Sequence, residues 1–153
     1  MIIQTKYFGE VSYDETDTLH FPEGLFGFED EKEFLLIPFG DDPQTASLLC
    51  LQSTATGGLA FVVMNPFYLN PDYAPVLQPA ELRSLEATES QELCYYVLCV
   101  VREPVSESTV NFKCPVAIND TTRVSMQVIL ETDSYNMRHL LSEFQKKEAG
   151  ETC

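Results

Sequence analysis

Two histidines, His20 and His139, and five cysteines, Cys50, Cys94, Cys99, Cys114 and Cys153, are the residues from which this chain could build a nucleophile or a soft metal site. A Cys/His pair needs a thiol held against an imidazole that takes its proton. A zinc site needs ligands at short, fixed spacings. Neither pattern is written here. No two cysteines stand in CxxC spacing, and neither histidine has an acid or a cysteine at a recognised metal spacing. Cys50, Cys94 and Cys99 lie inside apolar runs, where a free cysteine acts as a small hydrophobe and a buried thiol is inert. GxGxxG and GxxxxGK[ST] are both missing, so nothing points to a nucleotide phosphate. A pair of carboxylates for hydrolysis is available in any acidic chain, and a small hydrolase with an acidic catalytic pair stands as the alternative reading. The expectation is a protein without catalytic, metal or cofactor-binding residues.

The other chemistry within reach is recognition by large apolar side chains. Phe21-Pro22-Glu23-Gly24-Leu25-Phe26-Gly27-Phe28 sets three phenylalanines and a leucine among two glycines and a proline. Glycine reaches positive φ without strain and proline fixes φ, so this stretch is a loop of sharp turns. It is either a loop pinned by rings that dip into the core or a partly exposed apolar surface. Asn65-Pro66-Phe67-Tyr68-Leu69-Asn70-Pro71-Asp72-Tyr73-Ala74-Pro75 is the second such stretch. Its three prolines exclude a helix interior or a central strand. Its rings offer contact area at low entropy cost, and the same two readings apply.

Charge narrows the partners. Twenty-four acids face nine Lys and Arg, a formal charge of -15, and residues 1–45 hold eleven acids against Lys6 and Lys32. Such a field repels phosphate backbones and speeds encounter with a basic protein. Direct nucleic-acid binding is not expected. No apolar run approaches a membrane span, and Met1-Ile2-Ile3-Gln4 opens without a basic region before a hydrophobic stretch. With no disulfide pattern, the expectation is a reduced, cytoplasmic protein.

These loops need a scaffold. Leu59-Ala60-Phe61-Val62-Val63-Met64, between Gly57-Gly58 and Pro66, reads as a core strand at the centre of one core. Strands are expected at Ile2–Phe8, Val11–Tyr13, Thr18–Phe21, Phe34–Pro38, Ser47–Gln52, Leu93–Val101, Thr109–Cys114 and Arg123–Glu131, with a short extended piece from Pro115. In the last strand Val124, Met126, Val128 and Leu130 share one face. Gly40–Pro43 reads as a turn. Short helices are expected at Pro79–Glu86 and, capped by Asp133 or Ser134, from Tyr135 to Lys147 with a stripe of Met137, Leu140, Leu141 and Phe144. Strands joined by short connections favour antiparallel pairing. The fold class is mostly β: a small antiparallel β-barrel or two-sheet sandwich with a short helix and a C-terminal helix. Residues 1–147 form a single β domain and 148–153 a flexible tail.

Four segments together carry a family resemblance. They are Phe21 to Glu29, Leu51-Gln52-Ser53, Leu59 to Phe67 with Pro71-Asp72-Tyr73, and Val110 to Asn119. In this order and spacing they resemble the FliW family of bacterial flagellar assembly factors, and Gln127 and Tyr135 also fit. Phe112 stands where that family more often has leucine, and Cys114 where alanine is common. The resemblance implies a non-enzymatic, chaperone-like β protein of the cytoplasm, monomeric when free. It implies binding to flagellin through flagellin's C-terminal region. It also implies that the released protein binds CsrA, a dimeric RNA-binding translational regulator, and allosterically antagonises its repression of flagellin translation. The candidate anchors are Phe26, Phe28, Phe67, Tyr68 and Tyr73, and Asn65, Pro71, Asp72 and Asn119 complete the candidate protein-binding set.

Overall fold

The computed structural model describes residues 1–39, 48–104 and 107–141. In chain order the strands are β1 (Ile2–Thr5), β2 (Gly9–Ser12), β3 (Leu19–His20), β4 (Glu33–Pro38), β5 (Leu48–Ser53), β6 (Ala60–Met64), β7 (Cys94–Val100), β8 (Thr109–Val110), β9 (Val116–Ile118), β10 (Ser125–Gln127) and β11 (His139–Leu140). Two short helices, α1 (Pro66–Leu69) and α2 (Pro79–Ser84), lie between β6 and β7. Among the described residues no helix is long and apolar enough to cross a membrane.

The strand marked most strongly by the sequence, β6, lies in the middle of the sheet. The order is β10-β9-β7-β6-β5-β4-β3, with β8 added to β7 and β11 to β8, and neighbouring strands run antiparallel. The two ends of this path meet at one isolated bridge, His20 to Val124, where the His20 N–H donates to the Arg123 carbonyl at 2.8 Å. Strands β1 and β2 form a separate hairpin. Buried Gln52 ties that hairpin down: its Oε1 accepts from the Lys6 N–H at 3.0 Å, while its Nε2 donates to the Gly57 carbonyl at 3.0 Å.

The centre of the sheet serves two cores rather than the one expected. Because side chains alternate along a strand, β6 and β7 send opposite faces into different clusters. Val63, with Phe61 at its edge, joins Leu19, Phe21, Leu25, Phe34, Leu51, Val116 and Ile118. Met64 joins Tyr73, Leu77, Leu93, Tyr95, Val97, Cys99, Phe112, Val128 and Leu130 on the other side. Cys94, expected to be a buried hydrophobe, is exposed, because it stands at the very start of β7.

Three elements differ from expectation. The last long strand is only Ser125–Gln127. Val128 and Leu130 still enter the second core, with Val124 and Met126 packed against it. Ser125 and Gln127 are buried as well, so both faces are covered. The strand expected at Thr109–Cys114 stops at Val110. There Asn111 Oδ1 accepts the Cys114 N–H at 3.0 Å and turns the chain. The C-terminal helix does not begin at Tyr135. Tyr135 stacks on Tyr73 at 4.7 Å and its hydroxyl accepts the Ala74 N–H at 2.9 Å, while His139–Leu140 pair with β8. Ring burial and sheet pairing override the local helix signal. Residues 142–147 of that helix, the tail 148–153 and the turn at Gly40–Pro43 lie outside the described residues.

Candidate functional site

The stretch 65–76 leaves the end of β6 as one helical turn, not as bare loop. Asn65 caps it, its Oδ1 accepting the Phe67 N–H at 3.0 Å, and Pro66 takes the first helical position, where its missing N–H costs nothing. The turn presents Phe67 and Tyr68, which are 40% and 48% exposed. Asn70 Oδ1 then accepts the Asp72 N–H at 3.1 Å, leaving Pro71 and Asp72 outside. Tyr73 dives inward and is 3% exposed. Its hydroxyl donates to the Phe112 carbonyl at 2.7 Å, and its ring meets Phe112 at 5.0 Å and Phe67 at 5.8 Å. Burial pushes this hydroxyl far above the ordinary tyrosine range. Tyr73 is therefore a pillar under the loop, not an exposed anchor.

Beside Phe67 opens a cleft of about 560 Å³ lined by Tyr73, Val76, Gln91, Leu93 and Tyr95 among others, with no charged side chain among the described residues of its wall. Tyr95 forms the floor; its hydroxyl donates to the Ser90 carbonyl at 2.6 Å, and burial raises its pKa to about 12. Val76 stands exposed at the rim. Sequence reading missed Val76, Leu93 and Tyr95 as cleft residues. Tyr95 looked like one more strand residue, and only the path of the 65–78 segment over β7 makes it a floor.

The stretch 21–29 resolves its two readings by dividing them. Phe21 and Leu25 are core, with Phe21 edge-on to Phe34 at 5.2 Å. Phe26 and Phe28 are 49% and 40% exposed. The turn that leads into them, closed by the Gly24 N–H on the Phe21 carbonyl at 2.9 Å, depends on Gly24, whose φ is +68 and where an added Cβ would come within 2.5 Å of the Phe28 carbonyl oxygen. Leu25 and Phe28 form an antiparallel bridge, and the Phe28 N–H donates to the Leu25 carbonyl at 2.8 Å. Phe28 packs edge-on against Phe61 at 5.1 Å, at the opposite end of β6 from Phe67 and in the other core's face. In sequence this knob is flanked by Glu23, Glu29, Asp30, Glu31 and Glu33, with Lys32 as the single base of that stretch; Glu31 accepts from Ser53 and Thr56, and Glu33 pairs with His20.

Asn119 stands apart from both surfaces. Its Nδ2 donates to the Leu85 carbonyl at 2.8 Å and its Oδ1 accepts the Thr121 and Thr122 N–H groups at 3.0 and 3.2 Å, so it organises a turn. Nearby, a polar cleft is lined by Glu15, Asp17, His20, Asp120 and Arg123. Arg123 closes it by pairing with Asp120 at 2.9 Å and donating to the Asp17 carbonyl at 3.0 Å. His20 pairs instead with Glu33 at 3.5 Å, and His139 Nε2 accepts the Asn136 N–H at 2.9 Å. Burial pushes the Cys50 thiol up to about 11 and raises Cys99 and Cys114 as well. Thiols held protonated in this way are not activated nucleophiles.

The family model for FliW protein matches residues 2–141, which covers both aromatic surfaces and the whole described sheet. The chain belongs to the FliW family. It is 38% identical over 141 residues to the flagellar assembly factor FliW of Geobacillus sp. (strain WCH70), covering 92% of this chain and 95% of that one. It is 34% identical to the flagellar assembly factor FliW of Ruminiclostridium cellulolyticum, covering 97% of this chain and 99% of the relative. A crystal structure of the flagellar assembly factor FliW superposes with a TM-score of 0.83 at 35% identity, over 92% of this chain and 96% of that one. Of the segments that carry the FliW resemblance, Phe21 to Glu29 builds the acidic knob and Leu59 to Phe67 builds β6 with the rim of the uncharged cleft.

Proposed function

We propose that this protein is a non-enzymatic flagellar assembly factor of the cytoplasm. It binds flagellin by its C-terminal region and, once released, binds CsrA and allosterically relieves its repression of flagellin translation. The observation that carries this reading is the end-to-end match to flagellar assembly factors, 92% of this chain against 95% of a relative at 38% identity. The raised thiol pKa values support a binding role over nucleophilic chemistry.

The two surfaces suit the two partners differently. A helix-forming segment that offers an apolar face fits the uncharged cleft beside Phe67. CsrA, which presents basic surface to RNA, fits the knob of Phe26 and Phe28 within its acidic surround, and a partner of charge -15 held against it lowers RNA affinity through its field. The protein acts as a monomer, and residues 1–147 act as one binding unit. Asn65, Tyr68, Pro71 and Asp72 border the flagellin cleft, and Tyr73 supports it from below.

The test is a titration of the purified protein with flagellin and CsrA, separately and in competition. Saturable binding of each, with flagellin removing the protein from CsrA, is the expected result. Raising salt from low to physiological levels is expected to weaken the CsrA complex more than the flagellin complex. A protein that binds neither partner would end this reading.

A further inference from the structure

Among the described residues two glutamines are buried, Gln52 and Gln127. The first fastens the β1–β2 hairpin, and its hydrogen bonds go to Lys6, Ser53, Gly57 and Leu59 rather than to a backbone group of either aromatic loop. The second does something different. Gln127 is 7% exposed, on the inward register of β10. Its Oε1 accepts the backbone N–H of Phe26 at 3.0 Å across 101 residues of chain. Its Nε2 donates to the Cys114 carbonyl at 3.2 Å, in the segment leading into β9. The amide thus has one end on the knob and the other on the sheet, and its orientation follows, since only the oxygen can accept from an N–H.

The knob has few other ties to that side of the molecule. Leu25 roots it in the core, Phe28 leans on Phe61, and the Gly27 N–H is taken by the loop's own Glu29 at 2.8 Å. The Phe26 N–H is the one that points away from the loop, and Gln127 receives it. This bond is partly buried, and leaving its donor unmet there costs more than the bond itself contributes.

We propose that Gln127 is the positioning residue of Phe26 in the Phe26–Phe28 surface: it touches no partner, yet it fixes where the Phe26 ring stands and partner affinity depends on it. This rests on the assignment of CsrA to that surface. Gln127→Met keeps the length of the side chain and removes both hydrogen bonds. It acts on CsrA through Phe26, whereas Gln52→Met takes the same kind of group from the other buried site and acts on stability alone.

The experiment is a double-mutant cycle on the full chain, with purified CsrA as the probe and flagellin titrated in parallel. The variants are Gln127→Met, Phe26→Ala, the pair combined, and Gln52→Met. Gln127→Met is expected to weaken CsrA about tenfold, the scale of one lost buried hydrogen bond, and to leave flagellin binding unchanged. In the Phe26→Ala background it is expected to add almost nothing, the non-additivity of two residues acting as one unit. Gln52→Met is expected to lower the melting temperature without changing CsrA affinity. Full additivity, or an equal loss of CsrA affinity in Gln52→Met, would overturn the proposal and leave CsrA's assignment standing. If Phe26→Ala itself leaves CsrA affinity intact, the assignment falls and the proposal with it. Amide exchange of wild-type Phe26 gives a reading that needs no folded variant. Protection comparable to β10 supports the tether, and free exchange overturns it.

Discussion

The two aromatic loops look alike in sequence and are built on different physics. The segment 65–76 is fastened from beneath: Tyr73 is sunk in a cluster with Phe112 and Tyr135, and the exposed Phe67 stands on that cluster. The segment 21–29 is fastened through its backbone: Gly24 permits the turn, the Leu25–Phe28 bridge closes it, and the Phe26 N–H is held from across the sheet. The first surface borders a cleft with no charged side chain among its described lining residues, whereas the second is flanked in sequence by acids. They occupy opposite ends of β6 and belong to different cores. Rings alone therefore do not define a binding face. What lies under and around them decides the partner each can take.

This difference can be broken at its strongest joint. Tyr73→Ala removes a buried ring and its bond to Phe112, and should cost about 3–5 kcal/mol of stability in urea unfolding. Flagellin binding should fail together with the fold. If the variant were as stable as the parent, Tyr73 would not be the pillar described. In the other loop a backbone change should suffice. Gly24→Ala forces a Cβ to within 2.5 Å of the Phe28 carbonyl in a left-handed conformation, and should cost about 1–3 kcal/mol. It should weaken CsrA and spare flagellin, because Phe26 and Phe28 move while the cleft does not.

A smaller effect sharpens the comparison through pH. Burial raises the Tyr95 hydroxyl from 10.0 to about 12 and the Cys50 thiol from 9.0 to about 11. The folded state holds both protons more tightly than the unfolded chain. Their contribution is therefore full below pH 9 and is lost as pH climbs from 9 through 12. Tyr95→Phe should flatten the upper part of that decline in an alkaline unfolding series. An unchanged profile would remove Tyr95 as its source.

Much of the scaffold is legible in the chain itself. The apolar run ending at Met64 reads as a central strand because it is continuous between Gly57-Gly58 and a proline; its pairing with β5 is local, whereas its pairing with β7 spans the two short helices between them. The knob's turn is legible too, because glycines at 24 and 27 demand it. The rest depends on contacts that no local pattern encodes. Tyr73 meets the Phe112 carbonyl across 39 residues, and Tyr135 meets Ala74 across 61. Those meetings bury Tyr73, one of the candidate anchors, and keep Tyr135 out of a helix. Gln127 and Phe26 are farther apart still, at 101 residues. A polar residue in an alternating strand gives no sign of which distant N–H it will accept.

The most direct measurement of the account is a crossed titration at fixed salt, with Phe67→Ala and Phe26→Ala each tested against purified flagellin and purified CsrA. Both side chains are exposed, so both variants should keep the parent's circular dichroism and melting temperature nearly intact. The account expects a crossed pattern, with Phe67→Ala weakening flagellin by about tenfold or more and Phe26→Ala doing the same to CsrA, each leaving the other partner alone. If both variants weakened the same partner to the same extent, the two loops would form one surface and the separation argued from β6 and its two cores would be wrong.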